Sequence, residues 1–209
     1  MNPDGRLGAA VTEIAGFIPQ RNWNNVADNG NTSGGVARTG TQAGLVDSLG
    51  NSSQVSVLWD TSNTWSLRPN AVPADGNAQL FKGYLDTTDT STTTVNITDI
   101  PYLVYDAYVY FDGGNTTNLS GFYAVNDGVS PVQSEGPYLD SANWPIEDGG
   151  YAFIEAKKPG DTGNVAAFTG LRGTSLTITA TPDNRRAPIN AIQIVAVVPE
   201  LVVNSTAAT

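Results

Sequence analysis

The sequence predicts an all-β chain folded as one β-sandwich, and three observations lead there. Charged residues make up only 14% of the 209 positions while glycine numbers 22 and proline 12, so apolar residues fall in short runs between turn formers. Several of those runs alternate with a period of two rather than 3.6. The third observation is a single aromatic, β-branched stretch over residues 101–114 that reads as a central strand.

That stretch sets the frame. Pro101 cannot donate to a ladder and suits a strand start, while Asp112-Gly113-Gly114 tolerates the positive φ of a tight turn. Leu103, Tyr105, Ala107, Val109 and Phe111 form one parity and are expected to face a core. The other parity, Val104, Asp106, Tyr108 and Tyr110, is too aromatic for a solvated face, so another segment or a partner is expected to cover it.

Taken in order, residues 7–19 carry Val11, Ile14, Phe17 and Ile18 and read as a strand; residues 20–40 are a long Asn- and Gly-rich loop around Trp23. Residues 43–49 and 54–61 form a hairpin about Gly50-Asn51-Ser52, with Val55, Val57 and Trp59 inward, and residues 64–67 extend the sheet. One short helix is expected over residues 77–85, capped by Asn77, with Leu80, Phe81 and Tyr84 on one face. A hydroxyl-rich run at 87–94 leads into a strand at 94–98.

Beyond the central strand, residues 121–125 are predicted as its hairpin partner, and residues 127–150 as a long connection holding Tyr138 and Trp144. Four strands follow at 151–156, 164–170, 174–180 and 189–198. In the third of these, Leu176, Ile178 and Ala180 alternate with threonines, the pattern of a sheet with one wet face; the fourth is apolar on both parities and is expected to be central. About nine short strands with one helix point to a jelly-roll or galactose-binding-like sandwich over residues 19–198. Residues 1–18 form an N-terminal strand segment that a neighbour can exchange, and residues 199–209 form a C-terminal tail.

The formal charge of −10, from 20 acidic and 10 basic residues, leaves no phosphate-tracking patch and argues against nucleic acid and anionic membranes. No apolar stretch reaches the length of a membrane helix. Histidine and cysteine are both absent, which removes Ser-His-Asp triads, thiol nucleophiles and the usual zinc ligands, so no enzyme activity is expected.

Oxygen-only chemistry stays open. Structural calcium is the one metal the composition suits, with Asp86 and Asp89, or Asp112 and Asn115, as local clusters. A sugar platform would use Trp23 with Asn24, and Tyr138 with Trp144 in the long connection. Glycosylation candidates are the sequons at Asn31, Asn51, Asn96, Asn115, Asn118 and Asn204, together with Thr92 and Thr93. Val11, Ile14 and Phe17 at one end and Leu201, Val202 and Val203 at the other are apolar segments able to add a strand to a neighbouring sheet.

Four segments together resemble a known family: Gly16-Phe17-Ile18-Pro19 with Asn22-Trp23-Asn24-Asn25, then Gly83-Tyr84-Leu85-Asp86, the strand Tyr105 to Tyr110, and Pro188-Ile189-Asn190-Ala191-Ile192-Gln193-Ile194. The set is similar to β-sandwich domains of exported bacterial surface proteins, many of which end in a PEP-type sorting tail. Val198-Pro199-Glu200 stands where such a tail begins, with Leu201 in place of proline after it. The resemblance implies a bacterial extracellular or cell-surface location and brings no catalytic constellation. The first expectation is therefore a non-catalytic structural subunit, self-assembling by strand exchange into a surface filament or layer. The alternative is a carbohydrate-binding module of a larger secreted protein.

Overall fold

The computed structural model describes residues 13–26, 38–66, 76–81, 83–113, 119–140 and 152–198. Val11, Asn31, Asn115, Asn118, Trp144, Leu201, Val202, Val203 and Asn204 lie outside the described residues. Among those described, the strands are β1 (Thr39–Gln42), β2 (Ser56–Asp60), β3 (Asn63–Ser66), β4 (Gly83–Asp86), β5 (Thr93–Thr98) and β6 (Tyr105–Tyr110). They continue with β7 (Ser120–Asn126), β8 (Gln133–Asp140), β9 (Thr162–Gly163), β10 (Val165–Leu171), β11 (Leu176–Asn184) and β12 (Ala191–Ala196), and helix α1 spans Gly76–Leu80.

Two sheets pack face to face. The first has the order β1-β2-β5-β11-β7-β8-β9, antiparallel except for the short β8/β9 pair. The second is β10-β6-β12, joined through the bridge pair Leu85 and Ile189 to the β3-β4 ribbon. The chain passes between sheets at successive strands, β5 to β6 to β7 and β10 to β11 to β12, which is the jelly-roll habit.

The core between the sheets takes Trp59, Val95 and Ile97 from one side of the first sheet, Ile178 and Tyr123 from its centre, and Tyr105, Ala107, Val109 and Phe111 from β6. Phe111 stacks on Tyr123 at 4.7 Å and on Tyr138 at 5.9 Å, ring contacts worth about 1 kcal/mol each beyond their buried area. On the other parity of β6, Tyr108 and Tyr110 are buried as well, while Asp106 is half-buried. Tyr110 lies under a third layer made by residues 15–23, helix α1 and Phe153, with ring centroids of Trp23, Phe81 and Phe153 at 6.0, 5.8 and 5.4 Å. Its hydroxyl donates to Gln193 Oε1 at 2.6 Å and accepts from Phe17 N at 2.7 Å, while Gln193 Nε2 donates to Ile18 O at 2.6 Å.

Residues 7–12 of the strand expected at 7–19 lie outside the described residues, and over 13–19 this layer stands in place of a strand. Residues 15–20 form a closed turn, paired only at Ala15 and Gln20, because Gly16 at φ +105° lets the chain fold over the Trp23 ring, 2.7 Å from where a Cβ would stand.

Other expectations shift for physical reasons. The helix ends at Leu80 and Gly83–Asp86 is strand β4, since all four of its side-chain positions are buried against both faces. Asn77 is inside the first turn rather than its cap, and its Oδ1 accepts from Gly16 N. The central strand is six residues long, and Leu103 is 90% exposed rather than core. Residues 120–126 pair with β11 and β8 in the opposite sheet, not with β6, whose neighbours are β10 and β12. The predicted hairpin at 43–61 survives as an irregular turn before β2, with a Val46–Ser52 bridge and backbone bonds from Leu45 N to Val55 O, Ser53 N to Leu45 O and Asp47 N to Asn51 O, and the described part of the strand predicted at 151–156 forms a Glu155–Val165 bridge. Within the predicted connection at 127–150, Gln133–Asp140 is strand β8. The run at 189–198 yields β12 at the flank of its sheet, with β6 in the centre.

The turn after β7 shows how the sheets are tied at one end. Asp127 accepts five hydrogen bonds, from Val129 N, Ser130 N, Ser130 Oγ, Arg172 N and Gly173 N, at 2.6 to 3.0 Å. Burial alone would raise its pKa, but the N–H donors of Arg172, Val129 and Ser130 outweigh that and hold it below the ordinary carboxylate range. A depressed carboxylate stabilises the fold above its unfolded pKa and loses that contribution as pH falls. Asp127→Asn, which leaves N–H groups facing an amide, is expected to cost about 3 kcal/mol at neutral pH in urea unfolding, with the deficit shrinking below pH 4.

Candidate functional site

Two openings stand out, and different residues build each. The first lies along the edge ribbon. Trp65 on β3 is 53% exposed, the most exposed aromatic side chain among the described residues, while Trp23 and Trp59 are buried. β3 pairs antiparallel with β4, so Trp65 sits opposite Tyr84 and Asn63 opposite Asp86. Asn63 and Trp65 share one face of the strand, about 7 Å apart by strand rise.

Asn63 lines a hollow of about 520 Å3, walled by Arg38, Arg186, Asp89 and the hydroxyls of Ser62, Thr87, Thr88 and Thr90. Behind it the fully buried Asp86 takes Arg186 Nη1 at 2.6 Å and Asn63 Nδ2 at 3.3 Å on the same oxygen, Oδ2; Oδ1 has no partner. Burial pushes the Asp86 carboxyl up to about 6 in spite of Arg186 and Asn63.

The second opening is a cleft of about 340 Å3 between the sheets. β2 and β5 supply its floor with Val57, Trp59, Val95 and Ile97, β12 one wall with Ile192 and Ile194, and β4 contributes Leu85. Its mouth is closed on one side by residues 23–26 and 45–48. Asn24 clamps these two segments, donating from Nδ2 to Val46 O at 2.8 Å and accepting from Val46 N at 2.9 Å, and Asn22 Nδ2 donates to Ser48 O.

Of the residues predicted for a sugar platform, the three that are described, Trp23, Asn24 and Tyr138, are engaged within the fold. Trp23 is only 8% exposed, its Nε1 donating to Ala15 O at 3.2 Å, because the indole seals the third layer over Tyr110. Asn24 spends its amide on Val46. Tyr138 is buried in the inter-sheet core, with its hydroxyl donating to Glu135 Oε2 at 2.7 Å. Trp65 was read from the sequence only as a strand extension; a tryptophan among small polar residues, Ser62-Asn63-Thr64-Trp65-Ser66, was the available signal.

The calcium clusters are redistributed too. Asp86 is held by Arg186, whereas Asp89 is exposed in the hollow's wall. Asp112 is buried, and near it lies Asp140, which accepts from Leu119 N at 2.9 Å and Gly113 N at 3.3 Å. Burial, then the charge of Asp112, push Asp140 up to about 7. Among the described residues no three acidic side chains converge as a metal cage.

Of the described glycosylation candidates, Asn51 and Thr92 are exposed and Asn96 is half-buried beside Thr177. Thr93 is fully buried against Thr61 at 2.6 Å and is closed to modification. Of the assembly residues, Ile14 is 56% exposed and Phe17 packs on Tyr108 at 5.5 Å within its own chain.

No family model and no curated protein matches this chain. Among solved structures, that of TmCBM61 in complex with beta-1,4-galactotriose is similar at 11% identity and a TM-score of 0.37, over 68% of this chain and 88% of that one. A likeness at this level carries no functional weight.

Asp86 and Asp140 give the site region a pH signature. A carboxyl whose folded pKa lies above its unfolded value of about 3.9 holds its proton more tightly when folded, so stability falls as pH rises between the two values. Urea midpoints are expected to drop from pH 5 to pH 7.5, and Asp140→Asn to flatten most of that slope. A wild-type midpoint that rises across the same interval would contradict the assignment.

Proposed function

We propose that this chain is a non-catalytic, exported β-sandwich module that binds neutral polysaccharide, with Trp65 as its platform and the adjoining hollow as its polar flank. The observation that carries this reading is the exposure of Trp65 on an edge strand in a chain that otherwise buries its tryptophans wherever they are described. A sugar ring has an apolar C–H face and an edge of hydroxyls, so it fits an aromatic plane with donors and acceptors beside it. Arg38, Asp89 and the Ser62, Thr88 and Thr90 hydroxyls line that flank.

Charge selects among glycans. A net charge of −10 disfavours polyanions, and of the two arginines that line the hollow Arg186 is paired with Asp86, so uncharged chains are favoured. The lack of histidine and cysteine fits a binding role rather than turnover.

Retention on immobilised cellulose, xylan, mannan, galactan and chitin tests the platform. Trp65→Ala is expected to weaken retention at least about tenfold, a loss of about 1.4 kcal/mol, with an unchanged unfolding midpoint. Phe122→Ala, an exposed ring on the far sheet, is expected to change nothing. Equal retention by the Trp65 variant, or none by the wild type on any of the five, removes the proposal.

A further inference from the structure

We propose that the outer face of the first sheet, centred on β5 and β11, adsorbs to ice, with its threonine hydroxyls and methyls as the template for the first layer of ordered water. This stands apart from the glycan reading, since it uses neither Trp65 nor any residue that lines the hollow beside it.

The template follows from the strand registers. Thr41, Leu58, Asn96, Thr177 and Asn126 stand opposite one another across β1, β2, β5, β11 and β7. Two residues along each strand, Thr39, Asp60, Thr94, Thr179 and Ala124 form the next row, which Ser134 extends onto β8. A third row holds Thr92 and Thr181, whose hydroxyls are 3.2 Å apart. All of these lie on the parity opposite the core, because the residues that alternate with them on β5 and β11, Val95, Ile97, Ile178 and Ala180, are buried. Thr39, Thr41, Thr92 and Thr181 are exposed, while Thr94, Asn96, Thr177 and Thr179 are half-buried between neighbouring strands.

Two properties of this face point to its ligand. The first is spacing: strands lie about 4.8 Å apart and alternate residues about 6.7 Å apart along each, so the outward side chains repeat on a two-dimensional mesh. Those intervals are close to the two oxygen repeats of a prism face of ice. Threonine keeps the mesh ordered, since a β-branched side chain is stiff at χ1 and holds its hydroxyl and methyl in place. Thr177 Oγ1 donates to Asn96 Oδ1 at 2.8 Å, which locks that pair across the ladder.

The second property is charge. The chain carries −10 overall, and about a quarter to a third of an ordinary soluble surface is charged residues. Asp60 is nevertheless the one ionisable side chain in the two longer rows. An uncharged face complements an uncharged crystal, whereas lysines and glutamates would keep their own hydration shells between the two. Twist then sets the size of the template. Neighbouring strands turn by about 20–25°, so register with a flat crystal holds over β5, β11 and their near flanks and is lost towards the sheet edges. Grain boundaries in ice are arrested by many small adsorbed obstacles, so inhibition of recrystallisation is the activity expected.

The test is ice grain growth in frozen sucrose solution, with the full chain over a concentration series. The wild type is expected to keep grains small. Thr94→Lys with Thr179→Lys is expected to raise the concentration needed at least about tenfold, because two ammonium groups at the centre of the mesh must shed water to touch the crystal. Val132→Lys, a charge added at an exposed site off the mesh, and Trp65→Ala are expected to match the wild type. A second measurement needs no variant: labelled wild type is overgrown into a single growing ice crystal, while a labelled inert protein is pushed into the liquid. Exclusion of the wild type from ice, inhibition that survives the double substitution, or equal loss with Val132→Lys each overturns the inference. Retention on crystalline cellulose that the double substitution abolishes and Trp65→Ala leaves intact overturns it too, by showing that the mesh reads a polysaccharide crystal. Loss of retention in Trp65→Ala alone leaves ice adsorption in place, so the two readings fail separately.

Discussion

Strand β6 carries buried tyrosines on both of its faces, and most of the architecture answers that constraint. Tyr105, Ala107, Val109 and Phe111 point between the sheets, while Tyr108 and Tyr110 point outward into what would be water in an ordinary sandwich. Leaving two tyrosine rings exposed would forfeit a few kcal/mol, so a third layer is recruited from residues 15–23, α1 and Phe153. The Tyr110 hydroxyl fixes that layer's register, because it must satisfy both a backbone donor from Phe17 and the Gln193 amide in a buried setting. The phenol stays protonated, since burial pushes its pKa upward.

The third layer also decides where the molecule is open. Covering the outside of β6 and the start of β12 uses the N-terminal turn and α1, which leaves the inner flank of β12 beyond Ile189 without a strand neighbour among the described residues. The first sheet is seven strands wide and the second three, with the β3-β4 ribbon attached at one pair. That mismatch in width produces the cleft. The ribbon in turn carries Trp65 to the perimeter, and the ion pair of buried Asp86 with the part-exposed Arg186 holds the end of β4 that backs the hollow. Breaking one partner of such a pair leaves an uncompensated charge, so Arg186 is tied to the fold as much as to the surface it lines.

Much of this was legible from alternation alone. The two faces of β6, the inward Trp59, and the Leu176, Ile178, Ala180 row with threonines outside all follow from a period of two, and the structure has each of them. What alternation does not carry is partner choice. Residues 120–126 look like the return arm of a hairpin because they follow a Gly-rich turn, yet they cross to the other sheet, where β11 offers a longer ladder of Ile178–Val125 and Ala180–Tyr123 pairs. The short helix was overextended because Tyr84 and Leu85 are apolar in either period, and only burial on both faces makes them a strand.

The candidate site was the least legible, and the reason is chemical. Asparagines around Trp23 and a lone tryptophan in a Ser/Thr stretch differ in the sequence mainly by amide density, which points to Trp23, the ring that the structure buries. Amides bind sugar hydroxyls and backbone groups with the same atoms, so their clustering reports a demand for hydrogen bonds without saying whose. In this chain the demand comes from the 45–48 loop, whose backbone has Asn24 as a substitute strand and Asn22 as a brace. On β3 the residue that shares a face with Trp65 is Asn63, whose amide donates to Asp86 Oδ2, and the Trp65 ring stays 53% exposed. Amide density around an aromatic residue thus reports local hydrogen-bond demand and does not separate a platform from a plug, because strand parity and pairing decide which ring is covered.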